Sequence, residues 1–190
     1  MRKLSCASPL ARLVFSIAIA GSAAFVAAQT PRYSVTNLGP LLTSRGEVDY
    51  WPSMSSDGSK VVGLSWSNAN GYHSFYWDGT MHDMGNDNGN PPVAVSNDGT
   101  VIPNTNPARV WTLATGFVLL PGIDSSAGSS AINDSDVVVG TDRNVALIYS
   151  QSSPGIWGST QLPPLTGFAA SGASFIDNAG NVFGLSLIHI

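Results

Sequence analysis

Met54-Ser-Ser-Asp-Gly-Ser-Lys-Val-Val-Gly63 occurs again, in altered spelling, as Val95-Ser-Asn-Asp-Gly-Thr-Val-Ile102, Ile132-Asn-Asp-Ser-Asp-Val-Val-Val-Gly140 and Ile176-Asp-Asn-Ala-Gly-Asn-Val-Phe-Gly184. Each copy spells a hairpin. An apolar residue closes one strand, a Ser/Asn/Asp cluster supplies side-chain-to-backbone bonds and a residue at positive φ, and a β-branched pair opens the next strand. Measured at Gly58, Gly99, Asp136 and Gly180, the copies lie 41, 37 and 44 residues apart. That period is too long for leucine-rich repeats and suits the blades of a β-propeller.

Working outward from the first copy, the sequence predicts four strands per period: Tyr50 to Met54, Lys60 to Trp66, His73 to Trp77 and Thr80 to Met84, with a hairpin turn at Asp78-Gly79. The second unit continues with Arg109 to Trp111 and Phe117 to Leu120. The third continues with Val145 to Tyr149, a longer loop through Pro154-Gly155, and Thr160 to Leu162. Runs such as Val137-Val138-Val139 fit strands covered on both faces by neighbouring blades. Helical periodicity is absent, while Gly, Pro, Asn and Asp recur every few residues, which excludes a helical solenoid. The expected fold is all-β: an incomplete β-propeller of four-stranded antiparallel blades, about three plus the start of a fourth. Tyr33-Ser-Val-Thr-Asn-Leu-Gly39 matches the strand Thr80 to Gly85 without a blade of its own, and is expected to complete the last blade and lock the ends together.

His73-Ser-Phe-Tyr-Trp-Asp-Gly-Thr-Met-His-Asp-Met-Gly85, taken with the repeated hairpin and with Tyr33 to Gly39, resembles the bacterial extracellular repeats named HAF after a His-Ala-Phe triplet. The resemblance spans nearly all of the chain after residue 28. It is strongest in the first unit and decays to Ala108-Arg-Val110 and Val145-Ala-Leu147 in the next two. It implies secretion and a propeller, and it carries no catalytic residues.

Composition agrees with export. Arg2, Lys3 and Arg12 precede an apolar stretch from Leu13 to Val26, and Val26-Ala-Ala28 places small residues at a cleavage site before Gln29. The expected organisation is a signal peptide at 1–28 and the repeats at 29–184. Cys6, the single cysteine, lies in the signal, which leaves the mature chain without a disulfide or a thiolate site. The mature chain keeps five basic residues against twelve acidic ones, a net charge of −7 with no basic stripe. Nucleic acid and anionic lipid are excluded as partners, no membrane span is expected, and a carbohydrate or another protein fits better.

Leu185-Ser-Leu-Ile-His-Ile190 resembles the translation of a widely used sequencing adapter, with a genuine strand after Val182-Phe183-Gly184 as the alternative. On the adapter reading, the protein continues past Gly184 and the fragment is an open arc. Such an arc exposes apolar blade faces, is poorly soluble alone and has an undefined oligomeric state.

No zinc-protease, serine-hydrolase or phosphate-loop motif occurs. His73 and His82 fall on one predicted hairpin, with residue 73 expected near 84 and 82 near 75, too far apart to share a metal. His82-Asp83 is the one acid/base pair to weigh, against a plain strand position. No cofactor is expected. Asn86 to Asn90, Asn133 to Asp136 and Asp177-Asn178 offer oxygens for Ca2+, but turn chemistry explains the clusters that recur at hairpins, and Asn86 to Asn90 is the exception. Ligands of propellers meet the loops between second and third strands and between blades. Those loops carry Asp49, Tyr50, Trp51, Trp66, Tyr72, Asp87, Asp142 and Arg143, in which rings beside carboxylates suit sugar stacking or a protein contact. The expected function is a binding scaffold. Converging channel carboxylates would instead indicate a carbohydrate-active enzyme, and neither feature would indicate a structural spacer.

Overall fold

The computed structural model describes residues 34–39, 41, 50–67, 71–85, 90–122 and 127–187. The predicted signal peptide lies outside the described residues. All the strands belong to one compact unit, Thr36–Ile190. The first sheet consists of β1 (Tyr50–Met54), β2 (Val61–Trp66), β3 (Tyr72–Trp77) and β4 (Met81–Gly85). The second consists of β5 (Ala94–Val95), β6 (Val101–Ile102), β7 (Arg109–Thr112) and β8 (Gly116–Leu119). β9 (Gly128–Ile132), β10 (Val138–Asp142), β11 (Val145–Ser153) and β12 (Ile156–Leu162) make the third, and β13 (Ala170–Ile176) with β14 (Val182–Leu187) the fourth. Each sheet is an antiparallel meander in chain order, and none closes on itself. The fold is therefore all-β, with sheets that resemble unclosed propeller blades.

The repeated phrase builds the same turn four times. The fourth turn residue sits at positive φ in every copy: Gly58 at 73°, Gly99 at 90°, Asp136 at 56° and Gly180 at 85°. Its N–H donates to the carbonyl of the first turn residue at 3.0 to 3.1 Å in each case. The first residue's side chain then takes the N–H at the start of the next strand: Lys60 N to Ser55 Oγ, Thr100 N to Ser96 Oγ, Val137 N to Asn133 Oδ1 and Asn181 N to Asp177 Oδ1. Asp136 takes the place of a glycine because Asp, like Asn, tolerates the left-handed region better than other side chains.

These turns hold carboxylates in charged form. The Ser59 N–H and the Ser55 and Ser59 hydroxyls lower Asp57 from 3.8 to about 2. The Asn181 side chain holds Asp177 below its ordinary value, and in the separate β3–β4 hairpin His82 does the same for Asp78. A group with a depressed folded-state pKa stabilises the fold above its unfolded value and loses that contribution as pH falls through the folded one. The melting temperature is therefore expected to fall on acidification from pH 3.8 toward about 2, with Asp57→Asn flattening part of the drop. A melting temperature unchanged over that interval would contradict it.

Three hydrophobic clusters fill the three joints between consecutive sheets. Val62, Tyr76 and Met84 meet Val95, Val101 and Trp111 at the first, where the Tyr76 and Trp111 rings lie 5.3 Å apart. Ile102, Ala108, Val110 and Leu120 meet Val138, Leu147 and Tyr149 at the second, and Val139 and Ala146 meet Ala173 and Ile176 at the third. The paired β-branched residues of the phrase thus divide their work. Val101 faces the preceding sheet and Ile102 the following one, and Val138 and Val139 do the same. On the last sheet no described element covers Phe175 and Phe183, which are 56% and 54% exposed.

Several expectations need correction. Residues 34 to 39 form no strand and the fourth sheet has two strands, while the final blade that the segment is expected to complete is not among the sheets described. The Asp78 hairpin has a three-residue loop: Trp77 pairs with Met81 and Tyr76 with His82, one position away from the expected register. Thr80 joins the turn because its N–H bonds back to Asp78 Oδ1 at 3.3 Å. The predicted loop after Tyr149 is mostly strand. β11 and β12 run out to a two-residue turn at Pro154-Gly155, with Gly155 at φ 77°. Its polar residues gave no apolar signal because most of this stretch is exposed.

Candidate functional site

Two places collect polar chemistry from several elements. The first is where the four repeated turns meet. The N–H of Asp57 donates to Asn97 Oδ1 at 3.1 Å, that of Asn97 to Asp134 Oδ1 at 3.3 Å, and that of Asp134 to Asn178 Oδ1 at 3.0 Å. Each bond spans one repeat. Asp134 is the hub, since its Oδ2 also accepts from Ser56 Oγ at 2.7 Å and from Asn178 Nδ2. Beside this ladder, Met54, Val95, Ile132 and Ile176 from the first strands of all four sheets wall a cleft of about 380 Å3. Asp134 and Asp177 also border the cleft, but the ladder occupies Asp134, and Asp177 is spent within its own turn on Ala179, Asn181 and the Asn181 side chain.

The second place is the opposite end of the first sheet, where β2 passes into β3. Trp66 and Tyr72 flank that connection and pack edge to face, with ring centroids 4.9 Å apart and planes at 85°. Beneath them Asp83 on β4 ties three elements together. It accepts from Ser67 Oγ at 3.2 Å, contacts His73 Nδ1 at 3.0 Å, and accepts from Gly85 N at 2.7 Å. His73 Nε2 is buried and has no hydrogen-bond partner. The Asp83 carboxylate thereby ties Ser67, next to Trp66, to His73, next to Tyr72.

The sequence-predicted site residues scatter around this arrangement. Trp66 and Tyr72 are together as above. Trp51, 66% exposed, stands near the start of β1, next to a bulge, with φ 48°. Tyr50 begins β1. Arg143 is exposed in the tight β10–β11 turn at φ 55°. Asp142, expected on the rim, is fully buried as the last residue of β10, because that turn is too short to lift it clear of the sheet. Burial first, and the charge of Asp142 second, push Tyr149 up to about 12. Asp49, Asp87 and the calcium candidates Asn86 to Gly89 lie outside the described residues. Among the described residues no group of three or more His, Cys, Asp or Glu side chains could hold a metal ion. No described helix is long and apolar enough to cross a membrane.

The His82–Asp83 pair, weighed against a plain strand position, does not form. His82 Nε2 instead lies 3.0 Å from Asp78 Oδ1, and Asp83 goes to His73. Adjacent residues of a strand point to opposite faces, so neighbours in sequence could not have paired. The Ser67–Asp83–His73 cluster was missed because its members lie on three elements. The ladder between the turns was legible in principle, since its position reads Ser56, Asn97, Asp134 and Asn178, an oxygen-bearing side chain in every copy. Compared with family models, curated proteins and solved structures, the chain matches none.

Proposed function

We propose that this chain is a secreted or cell-surface repeat scaffold of the HAF type, an arc of propeller blades that binds its ligand through the loop end of the sheets. One contrast carries the reading. The carboxylate of Asp134 is consumed by bonds between repeats, whereas the Trp66–Tyr72 pair and the exposed Trp51 lie at the loop end of the first sheet. Rings held on paired strands offer apolar contact area with little ordering cost on binding. The basic, apolar and small-residue succession of residues 1–28 supports export, and the acidic balance supports a neutral or cationic partner.

The test is titration of tryptophan fluorescence and amide chemical shifts with a panel of neutral oligosaccharides from cellulose, xylan and mannan. Binding by at least one member is expected, with Trp66→Ala weakening it about tenfold or more. Release of shortened sugars would favour a carbohydrate-active enzyme. Titrations with no response, or binding indifferent to Trp66→Ala and Trp51→Ala, would count against a sugar-binding loop end.

A further inference from the structure

The outermost strand of the third sheet differs from its counterparts. β4 carries Asp83 and β8 has four residues, whereas β12 has seven, none charged and none proline. Its hydrogen-bonded partner is β11, and Gly158 to Gln161 are exposed. Edge strands normally carry charge, proline or a bulge to prevent pairing with another chain; β12 has no charge and no proline, and the one bulge in its ladder lies on the β11 side, between Gln151 and Ser153, leaving Trp157 to Leu162 in unbroken register.

The strand is also complementary to itself. Placed antiparallel to a second copy about Ser159, it sets Ser159 opposite Ser159, Trp157 opposite Gln161 and Ile156 opposite Leu162, with no like charges facing. Ile156 is 60% exposed at the near end. At the far end Leu162 borders a cleft of about 250 Å3 whose walls include Ala146, Leu165, Ala173 and Val182. Residues directly opposite across an antiparallel pair have Cβ atoms about 5 Å apart, so each Ile156 would reach the mouth of the other copy's cleft.

We infer that this face is a self-association surface: two copies of the chain join by antiparallel pairing of their β12 edges, each seating Ile156 against Leu162 and Leu165 of the other. Self-complementarity selects a second copy over a foreign strand. The chain carries a net charge of −4, so copies repel in general, and an uncharged edge is where that repulsion is weakest.

Sedimentation velocity of the purified chain from low to high micromolar concentration tests this, with circular dichroism to monitor folding. A concentration-dependent dimer is expected. Ser159→Lys and Ser159→Glu, each placing like charges opposite one another, should each raise the dissociation constant at least about tenfold, and an equal mixture of the two should restore dimers. The restoration distinguishes a broken interface from a damaged fold. A wild-type chain that stays monomeric throughout, single variants that dimerise as well as wild type, a mixture that fails to reassociate, or a dimer dissolved by Phe183→Asp but not by Ser159→Lys would each overturn the proposal.

Discussion

Replacing Gly140 by alanine is expected to destabilise the protein by about 3 kcal/mol, the upper range for forcing extra volume into a packed interior. Gly140 closes the Val-Val-Gly part of the repeated phrase in the third unit. There β9 bulges against β10, so that Val139 pairs with Ala131 and Gly140 with Ser129. The bulge carries the Gly128 backbone over the glycine. A methyl group on Gly140 would overlap the Gly128 carbonyl oxygen and lie 3.0 Å from the carbonyl carbon. Because the obstacle is main chain, no rotamer change can relieve it. Gly184 stands in the same relation to Gly172 in the fourth unit, so the residue recurs for one geometric reason. Urea denaturation of Gly140→Ala beside Ala131→Gly, which leaves the crowded position untouched, checks the claim. A Gly140→Ala midpoint equal to wild type would mean that the bulge is absent.

Asp134→Ala should cost about 2 kcal/mol, since it removes two acceptor oxygens that serve the Asn97 N–H, the Ser56 hydroxyl and the Asn178 amide. Asp134→Asn keeps one oxygen for the Asn97 N–H and should cost less than half as much. The ordering separates hydrogen bonding from bulk, because Asn and Asp are nearly the same size. A double-mutant cycle with Ser56→Ala should show coupling, although the two residues are 78 apart in sequence. Equal, near-zero costs for Ala and Asn would show that the joints rest on their apolar clusters alone.

What the sequence made legible was local. The turn phrase carries its geometry in adjacent residues, so the four hairpins, the positive φ at Asp136 and, to within one residue at their ends, the four strands of the first unit follow from it. The doubled β-branched residues announced sheets covered on both faces, and Val138 and Val139 do pack on opposite neighbours. What escaped depends on partners distant in the chain. The burial of Asp142 follows from the tightness of the turn beside it, and the grip of Asp83 on Ser67 and His73 from a register displaced by Thr80. The long β11–β12 hairpin escaped because its residues from Ser150 to Thr160 are mostly exposed, and exposed strands need no hydrophobic pattern.

The central claim is that four spellings of one phrase make one joint, repeated and bonded in series. Amide hydrogen exchange at Asp57, Asn97 and Asp134 tests it most directly, because those three N–H groups donate to the next repeat rather than within their own hairpin. The account predicts slowed exchange at all three in the native protein, with protection at Asn97 falling selectively in Asp134→Ala. Exchange at all three as fast as in an unstructured peptide, with the strands around them still protected, would contradict it.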